Sequence, residues 1–199
     1  MKTVEERIDK LEELVEKLVI EMLAFKEEMK IFKEEMREFK KQSEKDRREF
    51  NKQLAEISKK VGKITEDLVR PAARPVIEKY FGCEVSAISS NLRMKDNGLN
   101  GEFDVVAISK PCKKIFLIEV KSTPRIKYVD EFLEDLIPRF KHLFNKYFSE
   151  YQDYKLIPIF ASLEIPEDIL NYLSKQNIYA MAYREWDYMD ILNFNKVKI

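Results

Sequence analysis

Apolar residues recur along the first 39 positions at steps that alternate between three and four residues. This 3.5-residue period is typical of a helix that winds around a partner helix in a left-handed coiled coil. A single helix with so narrow an apolar stripe would leave its Phe and Met side chains in water, so the pattern predicts a partner. The stripe consists of Ile8, Leu11, Val15, Leu18, Met22, Phe25, Met29, Phe32, Met36 and Phe39.

The stripe lapses over the polar residues 40–49 and resumes at Phe50. The eleven residues from Phe39 to Phe50 equal one heptad plus four, a stutter that locally unwinds a supercoil. Bulky, adaptable Met and Phe at the seam are compatible with more than two helices or with an antiparallel pair, so helix number and orientation stay open. The balanced charge and the 3.5-residue period argue against a membrane-surface helix. The resumed stripe contains Phe50, Leu54, Ile57, Val61, Ile64 and Leu68.

Composition divides the chain near residue 60. Residues 1–60 contain no Gly or Pro, and 32 of them are charged, against 40 of the remaining 139. A solvated helix has this composition, whereas the remainder reads as a globular domain. We therefore expect a coiled-coil oligomerisation helix over residues 1–60 and a folded domain over residues 61–199.

The second segment alternates helical and β patterns. A helix is expected from Thr65, bent or restarted at Pro71 and Pro75 and ended by Gly82. A helix over 128–148, with a kink at Pro138, is expected between the strands. This order suits a mixed sheet with helices on both faces, of α/β (α+β) class. The other expected elements are strands at 83–90, 102–108, 114–121, 156–163, 178–183 and 189–194, a loop at 91–101 and a helix at 166–175.

Whole-chain composition excludes several classes of protein. The 36 basic and 36 acidic residues cancel, which excludes a strongly basic nucleic-acid module and leaves only a local basic surface. No run approaches the ~18 apolar residues of a membrane span, and the N-terminus lacks a secretory pattern. Two cysteines are too few for a disulfide framework, so we expect a cytoplasmic protein with Cys112 as a free thiol in a hairpin turn.

The hairpin of the second and third strands carries candidate chemistry. In the run 115–121, side chains alternate between faces, so Glu119 and Lys121 project together and Val120 points the other way. If Ile108 pairs with Ile115, Asp104 lies opposite Glu119. Glu102 then shares that face, near Lys121.

Clustered carboxylates repel one another unless a proton or a cation joins them. Oxygen ligands of this kind suit Mg²⁺ or Mn²⁺, and a lysine beside the metal can orient water or stabilise a phosphate. Metal-assisted hydrolysis of a phosphodiester fits this set. The alternative is chance, because an Asp followed by Glu-x-Lys arises readily in a chain with 36% charged residues.

Asp104 and Glu119-Val120-Lys121 lie on consecutive strands after a helix that bears Glu66, and this arrangement resembles the PD-(D/E)XK nuclease superfamily, the restriction-endonuclease-like fold. The resemblance covers residues 61–199. The chain is similar in particular to a prokaryotic group of proteins that join an N-terminal coiled coil to this nuclease-like domain. The other matching positions are Gly62, Val69, Pro71, Ala72, residues 102–107, Val129, Asp130, Phe132 and Asn195.

The resemblance implies an αβββαβ mixed sheet and a site with Mg²⁺ or Mn²⁺ as cofactor. Asp104 and Glu119 would bind the metal together with the carbonyl of Val120. Lys121 would assist the nucleophilic water, and Glu66 would bind the metal or a group attached to it. Phe103 stands where many members have a proline before the aspartate.

Basic residues around these elements are candidates for phosphate binding, with a solvated rim as the alternative. They are Arg70, Arg74, Arg125 and Lys127. The only histidine, His142, reads as an ordinary helix-surface residue. We expect a metal-dependent nuclease acting on nucleic acid, most readily DNA, and oligomerised by its coiled coil. The alternative is a catalytically silent nuclease-fold scaffold, which the long N-terminal helix favours because a simple nuclease needs no such element.

Overall fold

The structure, a computed structural model, describes residues 3–184 and 188–198, and it combines a long N-terminal helix with a mixed sheet. The outermost residues of the two expected segments, 1–2 and 199, lie outside the described part. The helices are α1 (Val4–Phe81), α2 (Ile126–Glu131), α3 (Ile137–Tyr147) and α4 (Glu167–Lys175). The strands are β1 (Ala87–Asp96), β2 (Leu99–Ser109), β3 (Lys114–Val120), β4 (Lys155–Ala161), β5 (Tyr179–Arg184) and β6 (Tyr188–Ile191).

Helix α1 continues through Pro71 and Pro75 instead of restarting at either one, so the expected restart is wrong. Buried residues on both sides of Pro75, including Ala73 and Val76, pack in the core. This packing holds the backbone helical where the prolines weaken its hydrogen bonds. The helix ends at Phe81 as expected, because Gly82 has a φ of +60° and its N–H donates to the carbonyl of Glu78 at 3.1 Å.

Close contacts divide the chain into one unit that runs to Ile57 and another that begins at Ser58. In the first unit, α1 exposes its apolar stripe: Phe25 is 63% exposed and Phe39 is 69% exposed. In the second unit, the end of α1 packs with the sheet in a buried core. None of the described helices combines the length and apolarity needed to cross a membrane.

The sheet contains six strands in the order β1-β2-β3-β4-β5-β6. Strands β1, β2 and β3 are antiparallel neighbours, β3, β4 and β5 run parallel, and β6 returns antiparallel to β5. The mixed α/β class expected from the element order is confirmed. Helices cover both faces, because one core cluster includes α1 residues and the other includes residues of α2, α3 and α4.

The first hairpin differs from the expectation. Strand β1 covers Ala87–Asp96 and β2 begins at Leu99. The strand expected at 83–90 therefore exists but begins later and runs longer, and the loop expected at 91–101 is reduced to a short turn. Asn97 and Gly98 form a tight turn with φ values of +45° and +86°. Residues 91–101 include three Asn, one Asp and two Gly, a composition typical of a loop, whereas here an edge strand with mostly exposed side chains tolerates such residues.

The long helical stretch after β3 is interrupted by a π-helical turn at Phe132–Leu136. Within it, the N–H of Ile137 donates to the carbonyl of Phe132, five residues earlier. This irregularity immediately precedes Pro138, where the sequence predicts a kink, and Pro138 occupies the first turn of α3. Proline has no N–H to donate, and interruptions of the regular hydrogen-bond pattern within a helical stretch are typical at proline.

Cys83 and Cys112 form a disulfide, so the expected free thiol at Cys112 is wrong. Their Cα atoms are 5.7 Å apart, although 29 residues separate them in sequence. The turn at Gly82 places Cys83 just after α1, and Cys112 lies in the β2–β3 turn. The pairing depends on tertiary contact and leaves no signal in cysteine spacing. The cytoplasmic location stays a prediction.

Candidate carboxylate site at the end of β3

The site lies where β3 ends between β2 and β4. The pairing of Ile108 with Ile115 and of Val105 with Ile118 matches the expected register. Continued by one residue, this register sets Asp104 opposite Glu119. Because β3 is an inner strand, the Glu119 side chain is only 9% exposed, and that of Lys121 is 32% exposed.

Asp104, Glu119 and Lys121 are brought into contact. The Asp104 carboxylate accepts a hydrogen bond from the backbone N–H of Val120 at 2.7 Å. The ammonium of Lys121 donates to Oε1 of Glu119 in a salt bridge. The negative charge of Asp104 raises the pKa of Glu119, so these two carboxylates lie within electrostatic reach of each other. The expected convergence of these three side chains is therefore present in the structure.

The electrostatics of this cluster favour added positive charge or protons. Burial raises the pKa of Glu119 to about 7, assisted by the negative charge of Asp104 and opposed by Lys121. Burial also raises the pKa of Asp104, although the Val120 N–H and Lys121 oppose it. Burial alone would lower the pKa of Lys121, but the carboxylate of Glu119 outweighs it and the pKa is raised. Lys121 therefore stays protonated at neutral pH.

Glu66 approaches this cluster from α1. It is half-buried, and its pKa is raised first by burial and then by the negative charge of Asp104. The charge of Lys121 acts in the opposite direction. Glu66 lies 38 residues before Asp104 in the chain, and α1 nevertheless supplies its carboxylate within electrostatic reach of the strand residues.

Glu102 lies at the rim of the cluster. Its carboxylate pairs with Arg93 of β1 at 2.9 Å, and its side chain is 55% exposed. Its negative charge nonetheless raises the pKa of Asp104 and of Glu66. The alternation of β2 is interrupted beside Asp104: Phe103 belongs to the same core cluster as Val106, although a regular strand would put them on opposite faces.

The four basic candidates have different surroundings. Nη1 of Arg74 donates to the carbonyl of Val85 at 2.6 Å and lies 3.5 Å from Oε1 of Glu78, so Arg74 ties α1 to the segment before β1. Lys127 pairs with Glu131 at 3.5 Å within α2. Arg70 on α1 and Arg125 at the start of α2 are exposed.

Glu131 is an electrostatic member of the site that the sequence does not indicate. Its negative charge contributes to the raised pKa of Lys121. No spacing rule connects Glu131 to Lys121, because α2 returns toward the end of β3 only in the folded chain. The N–H of Val120 is likewise missed, since sequence assigns a role only to its carbonyl.

The carboxylates fit one kind of metal ion. Within the described ranges, no group of three or more His, Cys, Asp or Glu side chains is arranged to hold a metal. A closed cage such as a structural zinc site is therefore not formed by those side chains. Mg²⁺ instead commonly takes one or two carboxylates and keeps several waters. Adjacent Asp104 and Glu119, with their raised pKa values, fit that requirement.

Comparisons with known proteins give little beyond this geometry. No family model matches the sequence, and no curated protein matches it. Among solved structures, the chain is similar to the small subunit (R.BspD6I2) of the heterodimeric restriction endonuclease R.BspD6I, with a TM-score of 0.28 and 13% identity. The match covers 49% of this chain and 54% of that subunit, about half of its length. A similarity at this level assigns neither a fold family nor a function.

Proposed function

We propose that this chain is a metal-dependent nuclease of the PD-(D/E)XK type, with the restriction-endonuclease-like fold. It hydrolyses phosphodiester bonds of nucleic acid, DNA being the substrate that the sequence resemblance favours, and it forms a homo-oligomer through its N-terminal helix. The observation that carries the proposal is the meeting of Asp104, Glu119 and Lys121 at the end of β3, with Glu66 in electrostatic reach.

In this proposal Asp104, Glu119 and the carbonyl of Val120 hold Mg²⁺ or Mn²⁺, and Glu66 binds a group attached to the metal. When bound, the metal supplies Lewis-acid stabilisation of the scissile phosphate and a more acidic water. The raised pKa values of Glu66, Asp104 and Glu119 support this, because a cation offsets both the burial of carboxylate charge and the repulsion among these groups.

The protein's own groups do the positioning. Because the pKa of Lys121 is raised, its ammonium keeps its proton and acts as a cationic donor to water or a phosphate oxygen. The N–H of Val120 orients the Asp104 carboxylate. Arg70 and Arg125 are the exposed cations proposed to contact phosphates, whereas Arg74 and Lys127 already pair with protein groups.

Cleavage of plasmid DNA with Mg²⁺ or Mn²⁺ tests the proposal. Asp104→Asn and Lys121→Met should each lower the rate by about 100-fold or more, the scale of lost general acid–base or electrostatic assistance. The exposed residues Asp153 and Lys141 offer matched controls, because Asp153→Asn and Lys141→Met change the same chemistry away from the site. Chelation with EDTA should abolish cleavage. Equal rates for wild type, Asp104→Asn and Lys121→Met contradict the proposal.

A catalytically silent scaffold is the second candidate. It is favoured by the salt bridge of Lys121 to Glu119, because the ammonium already supplies positive charge to the acidic cluster. Calorimetric titration with Mn²⁺ separates the candidates. Binding that is lost in Asp104→Asn supports the nuclease, whereas a folded wild-type protein that binds no divalent ion supports the scaffold.

A further inference from the structure

The apolar stripe of residues 8–39 is an unpartnered surface. Its ten side chains are between 48% and 69% exposed, with Met29 the least exposed and Phe39 the most. Exposing a continuous row of Phe, Met and Leu side chains to water is energetically unfavourable, so another surface must cover them. The residues beside the stripe indicate what that surface is.

Heptad positions follow from the spacing of the stripe. Steps of three lead from a to d and steps of four lead from d to a. The a positions are Ile8, Val15, Met22, Met29 and Met36, and the d positions are Leu11, Leu18, Phe25, Phe32 and Phe39. The first two heptads thus place β-branched residues at a and leucine at d, a combination that favours two parallel strands.

The flanking g and e positions carry complementary groups. In a parallel, in-register pair, each g residue faces the e residue five positions later in the other copy. All five such pairs match: four join opposite charges and one joins two apolar residues. They are Arg7 with Glu12, Leu14 with Val19, Glu21 with Lys26, Glu28 with Lys33, and Glu35 with Lys40.

The opposite orientation is disfavoured by the same residues. In an antiparallel pair, g faces g and e faces e. With residues 7–40 overlapped end to end, Glu21 would face Glu28, and Leu14 would face Glu35. At the e positions Val19 would face Lys26, so within this segment only Glu12 with Lys33 would join opposite charges. Like charges at these positions destabilise a coiled coil, so they select against this arrangement.

The first two heptads also determine the register. A shift of one heptad leaves most Glu–Lys pairs intact, because the later g positions are all acidic and the later e positions all basic. The shift would, however, place Leu14 opposite Lys26 or Glu12. Only the unshifted register joins Arg7 to Glu12 and Leu14 to Val19.

We propose that residues 7–40 pair with the same segment of a second copy of this chain as a parallel, in-register, two-stranded coiled coil. The inference rests on the part of the proposed function that assigns self-association to this helix, and it specifies the partner, the number of strands and their direction. Both chains leave the coiled coil at the same end, after Lys40. Each assembly then contains two carboxylate sites.

Cysteine cross-linking of the full chain tests direction and register. Leu11→Cys and Phe39→Cys each place a thiol at a d position, where a parallel, in-register pair brings identical residues together. Under mild oxidation each variant should form a disulfide-linked dimer. In an antiparallel pair spanning residues 7–40, position 11 faces position 36 and position 39 faces position 8. Each thiol then lies about 38 Å or about 46 Å from its counterpart, 25 or 31 residues at 1.5 Å per residue. Failure of both variants to cross-link overturns the proposal.

Two controls accompany the cross-linking. Glu34→Cys occupies an f position on the opposite side of the helix and should give little dimer. The wild-type chain should give none, because Cys83 and Cys112 are joined to each other. Cross-linking of Glu34→Cys as efficient as that of Leu11→Cys would indicate random collision and would overturn the assignment.

Charge exchange tests the pairing independently. Replacing Lys26, Lys33 and Lys40 by Glu, or Glu21, Glu28 and Glu35 by Lys, turns the three later pairs repulsive. Either triple variant should raise the dimer dissociation constant about tenfold or more at physiological ionic strength, measured by analytical ultracentrifugation. An equimolar mixture should recover a heterodimer, because each variant then meets its complement. In an antiparallel dimer the triple change of Glu21, Glu28 and Glu35 to Lys would be nearly neutral, because it replaces the facing Glu21 and Glu28 by facing lysines.

The wild-type mass completes the test. Sedimentation of a dimer supports the proposal, and a monomer, trimer or tetramer overturns it. Circular dichroism at 222 nm confirms that each variant remains helical. Because none of these measurements uses nuclease activity, a failure of the nuclease proposal and a failure of this one are separate results.

Discussion

Single residues of the carboxylate site link protonation to stability. Glu119 is buried beside another carboxylate, and its pKa is raised from 4.5 to about 7. The folded state therefore binds this proton more tightly than the unfolded state does. The resulting stabilisation is complete below pH 4.5 and is lost as the pH rises through about 7.

Glu119→Gln should therefore stabilise the metal-free protein at pH 8. The amide resembles the protonated acid in shape and carries no charge to bury, so the gain in unfolding free energy should be on the order of 2 kcal/mol and should vanish near pH 4.5. Urea unfolding in EDTA across this pH range measures it. The exposed Glu164→Gln removes the same charge outside the site and serves as the control. A Glu119→Gln variant that is less stable than wild type at pH 8 would contradict the assignment.

The backbone at Gly101 in β2 is packed so closely that it leaves no room for a side chain. A Cβ there would lie 2.5 Å from the ring of Phe103 and 2.9 Å from Leu143. The ring cannot easily yield, because Phe103 is fully buried and packs edge-on against Phe140 with centroids 4.9 Å apart. Gly101→Ala should thus lower the unfolding free energy by about 1–3 kcal/mol.

Gly62 provides the matched comparison for that change. It lies within α1, and a Cβ there would meet nothing within 4 Å. Gly62→Ala should raise stability by about 0.5–1 kcal/mol, since alanine loses less backbone entropy in a helix. Chemical denaturation measures both variants, and equal effects of the two substitutions would contradict the packing argument.

At the scale of elements, the disulfide joins the end of α1 to the β2–β3 turn. That turn leads directly into β3, whose far end carries Glu119. The bond closes a long loop, since 29 residues separate the cysteines. It therefore restricts the unfolded chain and stabilises the contact between helix and sheet in the fold.

Removing both cysteines as Cys83→Ala/Cys112→Ala should lower the unfolding free energy by about 2–4 kcal/mol. Loss of the buried Cys83 sulfur adds a small packing cost to that figure. Thermal denaturation of the variant, and of wild type with and without reductant, measures the effect. An unchanged midpoint in both experiments would contradict a structural role for the bond.

At the scale of the whole molecule, association should contribute to stability. If a second copy covers the apolar stripe, the melting temperature of the helical signal at 222 nm should rise with protein concentration. The triple variant of Lys26, Lys33 and Lys40 to Glu should show a weaker dependence in the low micromolar range. Wild-type melting that is independent of concentration over a hundredfold range would contradict the association.

Local pattern determined a large part of this protein. The heptad steps, the helix end at Gly82 and the register that sets Asp104 opposite Glu119 are all readable in the sequence, because each depends on residues close together in the chain or on the two-residue period of a strand. The same reasoning misplaced the bounds of β1, since the Asn, Asp and Gly residues of 91–101 indicate a loop where the edge strand continues to Asp96.

Contacts between segments that are distant in the chain were decided only by the tertiary structure. The disulfide of Cys83 with Cys112 and the influence of Glu131 on Lys121 arise only when separate elements pack together. The raised pKa values depend on burial, which no spacing reveals. Periodicity is local and survives in the printed sequence, whereas proximity and dielectric environment exist only in the folded chain.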